Sequence, residues 1–232
     1  MIQAIFFDFN GVIIDDEPLQ MEAYREALGP HGVNVTEEVY YSALGLDDVR
    51  FVRHAFESAG VELNDDALRS VLERKTELHR GKIEGELPLF PGVVTFVKSV
   101  ARHYALGVVS MATRDEIDFV LARAGLARHF EVVVSAEEDR PCKPDPYCYR
   151  TALELLNAKR EEAHVIPLRA DECLVVEDSP PGIQSARAAG MRTLGVTNTV
   201  PEQALRDAGA DVVTHSLFDW TDDAVHHVFD ER

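Results

Sequence analysis

The sequence is poor in cysteine, poor in positive charge and without long hydrophobic runs, and each shortage excludes something. Its three cysteines, Cys142, Cys148 and Cys173, are odd in number and follow no metal-ligand spacing. Neither a disulfide framework nor a zinc site is expected, and a reduced cytoplasmic setting is the simplest reading. Lys and Arg number 23 against 41 Asp and Glu, a formal net charge of −18. Nucleic acid and anionic membranes both require a basic surface, so neither is expected as a partner. An anionic substrate would need local positive charge, from a metal ion or from individually placed Lys and Arg. The apolar stretch at 2–7 is far too short to span a bilayer, and no charged segment precedes it. There is no low-complexity tract and no internal repeat. A soluble protein is expected, as a monomer or weak homodimer.

What is present is an ordinary globular composition, 46% hydrophobic and 28% charged over 232 residues, long enough for one large or two modest domains. Buried parallel strands read as short β-branched apolar runs rather than as alternation. Five runs fit: IQAIFF (2–7), YALGVV (104–109), FEVVV (130–134), CLVVE (173–177) and RTLGV (192–196), with ADVVT (210–214) as an edge strand. Helical patterns at 92–103, 114–124, 146–158 and 181–189 separate most of them. Strand–helix alternation predicts an α/β fold with a doubly wound parallel sheet.

Residues 16–85 break the alternation. They read as four helices, near 17–29, 36–44, 47–59 and 64–80, the last N-capped by Asn64 and followed by acids in its first turn. The Pro/Gly-bounded GELPLFPGV (85–93) returns the chain to the sheet. The expected division is therefore a core of 1–15 and 86–232 with an all-helical insert at 16–85. The insert lies beside the carboxyl end of the first strand, where open α/β sheets bind ligands, and so suggests a lid.

Four polar stretches fall at the carboxyl ends of four predicted strands and should converge on one sheet edge. DFNGVIID (8–15) offers Asp8, Asn10 and Gly11. VVSMATR (108–114) offers Ser110, RPCKPDPYCY (140–149) offers Lys143, and VVEDSPPGIQSARAAGM (175–191) offers Glu177 and Asp178. Each residue alone has an ordinary structural reading: Asp8 as a turn cap, Ser110 as a strand-end hydrogen bonder, Lys143 as solvated surface, Glu177–Asp178 as a helix cap. Together and in this order they resemble the four motifs of the haloacid dehalogenase superfamily of phosphotransferases, and the insert resembles the small helical cap of the branch that holds β-phosphoglucomutase and many sugar-phosphate phosphatases.

The resemblance implies a Mg²⁺-dependent phosphatase of a small phosphorylated metabolite. Asp8 is implied as nucleophile, through an aspartyl-phosphate. Asp8, the backbone carbonyl of Asn10, Asp178 and Glu177 are implied as metal ligands, Glu177 directly or through a neighbour. Ser110, Gly11 and Lys143 are implied as phosphate-binding, and Lys143 also as Asp8's partner. Catalysis of this kind is mainly positioning and electrostatics.

One position departs from the pattern. The family usually carries a second Asp two residues after the nucleophile, which protonates the leaving oxygen and then deprotonates water. Here it is Asn10. General acid–base catalysis is worth roughly 10²–10⁴-fold, so turnover is expected to fall by about that factor while metal and ligand binding persist. Asp15, Asp16 and Glu17 stand nearby as possible replacements. The alternative is a non-catalytic phosphometabolite binder. A hexose-phosphate mutase is disfavoured, because Gln20 replaces the His that β-phosphoglucomutase-like members carry and Asn10 removes the acid–base group. Dehalogenases and phosphonatases usually place an aromatic or a small residue at position 10, so Asn10 matches neither.

In the insert, Leu68, Val71, Leu72 and Leu78 form a stripe with Lys75 in its middle. Two readings of Lys75 stand, substrate contact and snorkelling. Gly45, in LGLDD (44–48), falls where the family's cap loop sets specificity. Arg50 and Arg53 on the following helix read as surface or as distal anion contacts. AKREEAHVIPLRADE (158–172) is longer than the usual connection and reads as an exposed loop, either a plain insertion or a partner surface.

Overall fold

The computed structural model describes residues 1–136 and 140–230. Six strands form one parallel sheet: β1 (Ala4–Phe7), β2 (Ala105–Val109), β3 (Val132–Val134), β4 (Cys173–Glu177), β5 (Arg192–Val196) and β6 (Val212–Thr214). Their spatial order is β3-β2-β1-β4-β5-β6, with Ile5 opposite Leu106 on one side and Leu174 on the other. The strands are the six expected from the apolar runs, β4 and β5 with the expected ends and the other four trimmed.

The period-2 alternation of β1 divides the core into two layers. Ile5 and Phe7 face one layer, covered by α5 (Val93–Val100), α6 (Arg114–Arg123) and α10 (Asp222–Phe229). Ala4 and Phe6 face the other, covered by α7 (Tyr147–Glu162) and α8 (Pro180–Ala188). Phe7 sits edge-on to Phe96 and Phe130, with centroids 5.8 and 5.9 Å away. Such pairs add about 0.5–1.5 kcal/mol to the roughly 1.5–3 kcal/mol of burying each side chain. The short α9 (Glu202–Asp207) links β5 to β6.

Between β1 and α5 lie four α-helices, α1 (Glu17–Leu28), α2 (Glu37–Ser42), α3 (Asp48–Ala59) and α4 (Asp65–Glu84). They close on an apolar cluster of their own, built on Tyr24, Leu28, Phe51, Val52, Phe56 and Val71. Asn64 caps α4 by accepting from the Ala67 backbone N–H at 2.8 Å, and Asp47 caps α3 through Arg50 N at 2.8 Å. The outgoing and returning chains are clamped together: Asp15 N donates to Pro88 O at 2.7 Å, and Ile14 bridges Leu89.

Two helices overrun their expected ends. Helix α4 continues to Glu84, and α7 continues to Glu162. The latter converts the start of the expected 158–172 loop into helix, because Ala158–Glu162 are all good helix formers and no breaker precedes Pro167.

Because β1 lies between β2 and β4, the crossovers leave it in opposite directions and open a crevice at its carboxyl end. The helical segment stands over that crevice.

Candidate active site

Each motif residue is carried to the crevice by the strand before it. Asp8 follows β1, with its N–H donating to Val176 O at 2.9 Å, which fixes the turn after β1 against β4. The turn then doubles back: Gly11 N donates to Ile14 O at 2.9 Å, and Asn198, on the loop after β5, donates its Nδ2 to Gly11 O at 2.7 Å. Gly11 has φ +75°, and a Cβ there would lie 1.9 Å from Asp178 Oδ2, so only glycine fits. Ser110 follows β2, buried, with its Oγ accepting from Ala112 N at 3.0 Å. Lys143 lies in the loop before α7, next to a cis peptide bond to Pro144. Glu177 ends β4 and Asp178 follows it. Ser179 then caps α8 by accepting from Gly182 N, with Pro180 in the first turn.

These side chains meet. Lys143 Nζ lies 2.9 Å from Asp8 Oδ1, 2.6 Å from Glu177 Oε1 and 3.3 Å from Val109 O. Burial works against its charge, but Asp8 and Glu177 outweigh burial and hold the ammonium protonated well above its usual range. Glu177 is wholly buried. Oε1 also accepts from the Tyr149 hydroxyl at 2.8 Å, and Oε2 accepts from Asp178 N, Ser179 N and Ser179 Oγ.

Burial, with the Glu177 charge next, pushes the Asp8 carboxyl up to about 7 against the pull of Lys143. Burial and the Glu177 and Asp8 charges push Asp178 well up too. Ligand oxygens of Asp8, Glu177 and Asp178 lie within 4.8 Å of one another. Three close carboxylates against one lysine form an electron-rich, all-oxygen donor set, which suits a hard divalent cation such as Mg²⁺.

The helical segment supplies the cleft's other wall. Glu17, Gln20, Tyr24, Gly45, Asp48 and Lys75 line it together with Asp8, Asn10, Ser110, Lys143 and Asp178. Gly45 has φ +86°, and a Cβ would lie 2.9 Å from Pro181 Cβ and 3.2 Å from Lys143 O, so this glycine lets the insert touch the core at the site itself. Lys75 is 2% exposed, paired with Asp48 at 2.9 Å and set 5.0 Å from the Tyr24 ring centroid. Burial opposes its charge, but Asp48 and Glu116 raise its pKa, and Lys75 in turn holds Asp48 below the usual carboxylate range despite burial.

Asn10 faces the hinge. Its Nδ2 donates to both oxygens of Asp16, at 3.0 and 3.1 Å. Asp16 also accepts from Gln20 Nε2 at 3.1 Å and pairs with His79 Nε2 at 2.9 Å, while His79 Nδ1 lies 3.6 Å from Glu116. This buried cluster joins the hinge, α1, α4 and α6. Arg50 is occupied by Asp47 and by Arg140 O at 2.8 Å, and neither it nor Arg53 lines the cleft.

A model of haloacid dehalogenase-like hydrolases matches residues 2–190. The chain belongs to this hydrolase family. It is 31% identical over 214 residues to a phosphorylated carbohydrates phosphatase of Thermotoga maritima, covering 90% of this chain and 92% of that one. It is 30% identical over 193 residues to the fructose-1-phosphate phosphatase YqaB of Escherichia coli, covering 83% and 95%. The solved β-phosphoglucomutase of Clostridium difficile superposes with a TM-score of 0.85 at 20% identity, covering 100% of this chain and 98% of that one, a likeness of fold.

In this hydrolase, the residues singled out in the sequence, Asp8, Asn10, Ser110, Lys143 and Asp178 on the sheet edge and Gly45 and Lys75 on the insert, all line one cleft. Gly11 and Glu177 stand directly behind it. Tyr149, His79 and Glu116 were not singled out. Tyr149 closes the stretch that offers Lys143 but reads there as an ordinary helix residue, and its hydroxyl finds Glu177 only through the packing of α7 on the sheet. His79 left a signal: it sits one turn after Lys75 on the inward stripe of α4. Among the described residues no helix is long and apolar enough to cross a membrane.

Proposed function

We propose that this hydrolase is a metal-dependent phosphatase of a small, sugar-like phosphate monoester, acting through Asp8, with turnover held down by the amide at residue 10. The observation that carries the reading is the Lys143 ammonium set between Asp8 and Glu177 under a helical lid. The phosphatases among its relatives support the same class of substrate.

Asp8 attacks phosphorus while Lys143 and Ser110 hold the phosphoryl oxygens; the Gly11 N–H is taken by Ile14 O, so Gly11 serves the site by letting Asp178 come close. Asp8, Asp178 and the Asn10 carbonyl would hold Mg²⁺, which neutralises charge on the phosphoryl group when bound. Glu177, saturated by five hydrogen bonds from Lys143, Tyr149, Asp178 and Ser179, orients Lys143. Residues 16–85 act as the cap that excludes water and reads the rest of the substrate. Gly45 and Lys75 border that part of the cleft.

The test is phosphate release from p-nitrophenyl phosphate and a sugar-phosphate panel with Mg²⁺, for this chain and Asn10→Asp. Peptide mass analysis of Asn10 is run alongside, because an Asn-Gly pair deamidates to the carboxylate. Asn10→Asp should exceed this chain on alkyl phosphates, by about 10²–10⁴-fold where no other group replaces the carboxylate. Binding without turnover in both chains would replace the enzyme by a phosphometabolite binder.

A further inference from the structure

An amide at residue 10 leaves the leaving oxygen without a proton donor, and three acids follow it in the hinge. The structure separates them. Asp15 is exposed, and its backbone belongs to the clamp with Pro88. Asp16 is fully buried, its carboxylate is taken by Asn10, Gln20 and His79, and it does not line the cleft. Glu17 is different. As the first residue of α1 it faces the cleft that holds Asp8, Ser110 and Lys143. Its Oε2 accepts from the Tyr40 hydroxyl at 2.5 Å, while among the described residues Oε1 accepts no hydrogen bond and the carboxylate has no ion pair.

We propose that Glu17 is the acid–base catalyst of this chain, in place of the carboxylate missing at residue 10. The inference rests on the phosphatase reading above. As an Asp8 oxygen attacks phosphorus, the bond from phosphorus to the substrate oxygen breaks, and the Glu17 proton moves to that oxygen. Glu17, now a carboxylate, takes a proton from the water whose oxygen attacks phosphorus. The bond from phosphorus to Asp8 breaks, inorganic phosphate leaves, and Asp8 and protonated Glu17 are restored. Tyr40 is a positioning residue, anchoring one oxygen and leaving the other to the cleft.

The environment suits this work. Burial pushes the Glu17 carboxyl up to about 7. The Tyr40 hydrogen bond pulls down, the Asp16 and Asp8 charges push up, and Lys75 pulls down. Tyr41 and Asp178 also feel its charge. A group poised near neutrality exchanges protons in both directions with little penalty.

The experiment compares this chain, Glu17→Gln, Asn10→Asp and the double variant in single-turnover and steady-state assays with Mg²⁺. Two donors are used: a hexitol phosphate, whose leaving alkoxide needs a proton, and p-nitrophenyl phosphate, whose phenolate does not. Glu17→Gln should lower release from the hexitol phosphate by about 10²–10⁴-fold and phosphorylation by the nitrophenyl ester by less than about tenfold. With Asp at residue 10 the same substitution should cost less than about tenfold on either donor. Tyr40→Phe, which keeps the ring in the insert's core, should move the kinetic pH limb near neutrality upward, because it removes a hydrogen bond that favours the ionised Glu17. If Glu17→Gln stays folded and within about threefold of this chain on the hexitol phosphate while Asn10→Asp is active, the Glu17 assignment is overturned and the phosphatase reading stands. If no chain, Asn10→Asp included, turns over either donor, both fall.

Discussion

Lys143 sits where a single substitution should be most costly, and the cost follows from its surroundings. Its side chain is 2% exposed, Glu177 is 0% exposed and Asp8 13%, and the Lys143 ammonium is the one cation within ion-pair distance of either carboxylate among the described residues. Lys143→Met keeps most of the volume and removes the charge. Glu177 retains Tyr149, two backbone N–H groups and Ser179, so its hydrogen bonds are largely met while its charge stands buried and uncompensated. Breaking a buried pair in this way costs about 3–5 kcal/mol. Urea unfolding at neutral pH, without divalent ions, should show a loss of that size with an unchanged m-value. Adding Glu177→Gln to Lys143→Met should cost little more, giving a coupling of about 1–3 kcal/mol in the double-mutant cycle. Millimolar Mg²⁺ should recover part of the loss, since the cation neutralises the same carboxylates. A loss below about 1 kcal/mol with no coupling would refute the argument, because the pair would then behave like an exposed one.

Other outcomes follow from the same geometry. Gly45→Ala should raise KM more than it lowers kcat and cost about 1 kcal/mol or more of stability, because the new Cβ sits at a positive φ, meets Pro181 and the Lys143 carbonyl and holds the insert off the core; steady-state kinetics and thermal melts check this. Glu17 has a folded pKa raised by burial to about 7 from the 4.5 of an ordinary glutamate, so the folded state binds the extra proton between those values. Stability should therefore fall as pH rises across that window, and unfolding midpoints of Glu17→Gln, measured from pH 4.5 to 7.5, should show a shallower slope, the remainder belonging to Asp8 and Asp178. Asn64→Ala should cost about 1 kcal/mol by chemical unfolding, from loss of the α4 cap.

The core was legible because a parallel sheet writes itself plainly: each strand is a β-branched run, and Asp8, Ser110 and Asp178 each come directly after one. Asp8, Ser110, Lys143 and Asp178 need no knowledge of packing to be placed on one edge. Lys75 was legible as a charge amid an apolar stripe, but its partner Asp48 was not, since only the crossing of α3 and α4 brings them together. Glu116 looked like an ordinary first-turn acid of α6. It becomes part of the hinge cluster because α4 lays His79 beside it. Asn10 was legible as a departure, yet its effect depended on which neighbour faces the cleft. Sequence offered Asp15, Asp16 and Glu17 as nearby acids, with Asp15 also readable as a structural acceptor, and could not say which of them reaches the cleft. The turn into α1 separates them, sending one to solvent, one into the hinge and one towards Asp8.

The account's central claim is that Asp8 becomes phosphorylated. The direct measurement is rapid acid quench of this chain with a phosphoryl donor and Mg²⁺, followed by peptide mass analysis. The account predicts one added phosphoryl group on the peptide carrying Asp8, formed within a single turnover, labile to hydroxylamine and absent in Asp8→Asn. Phosphate release at an undiminished rate from Asp8→Asn, or turnover of this chain with the label on another residue, would contradict it.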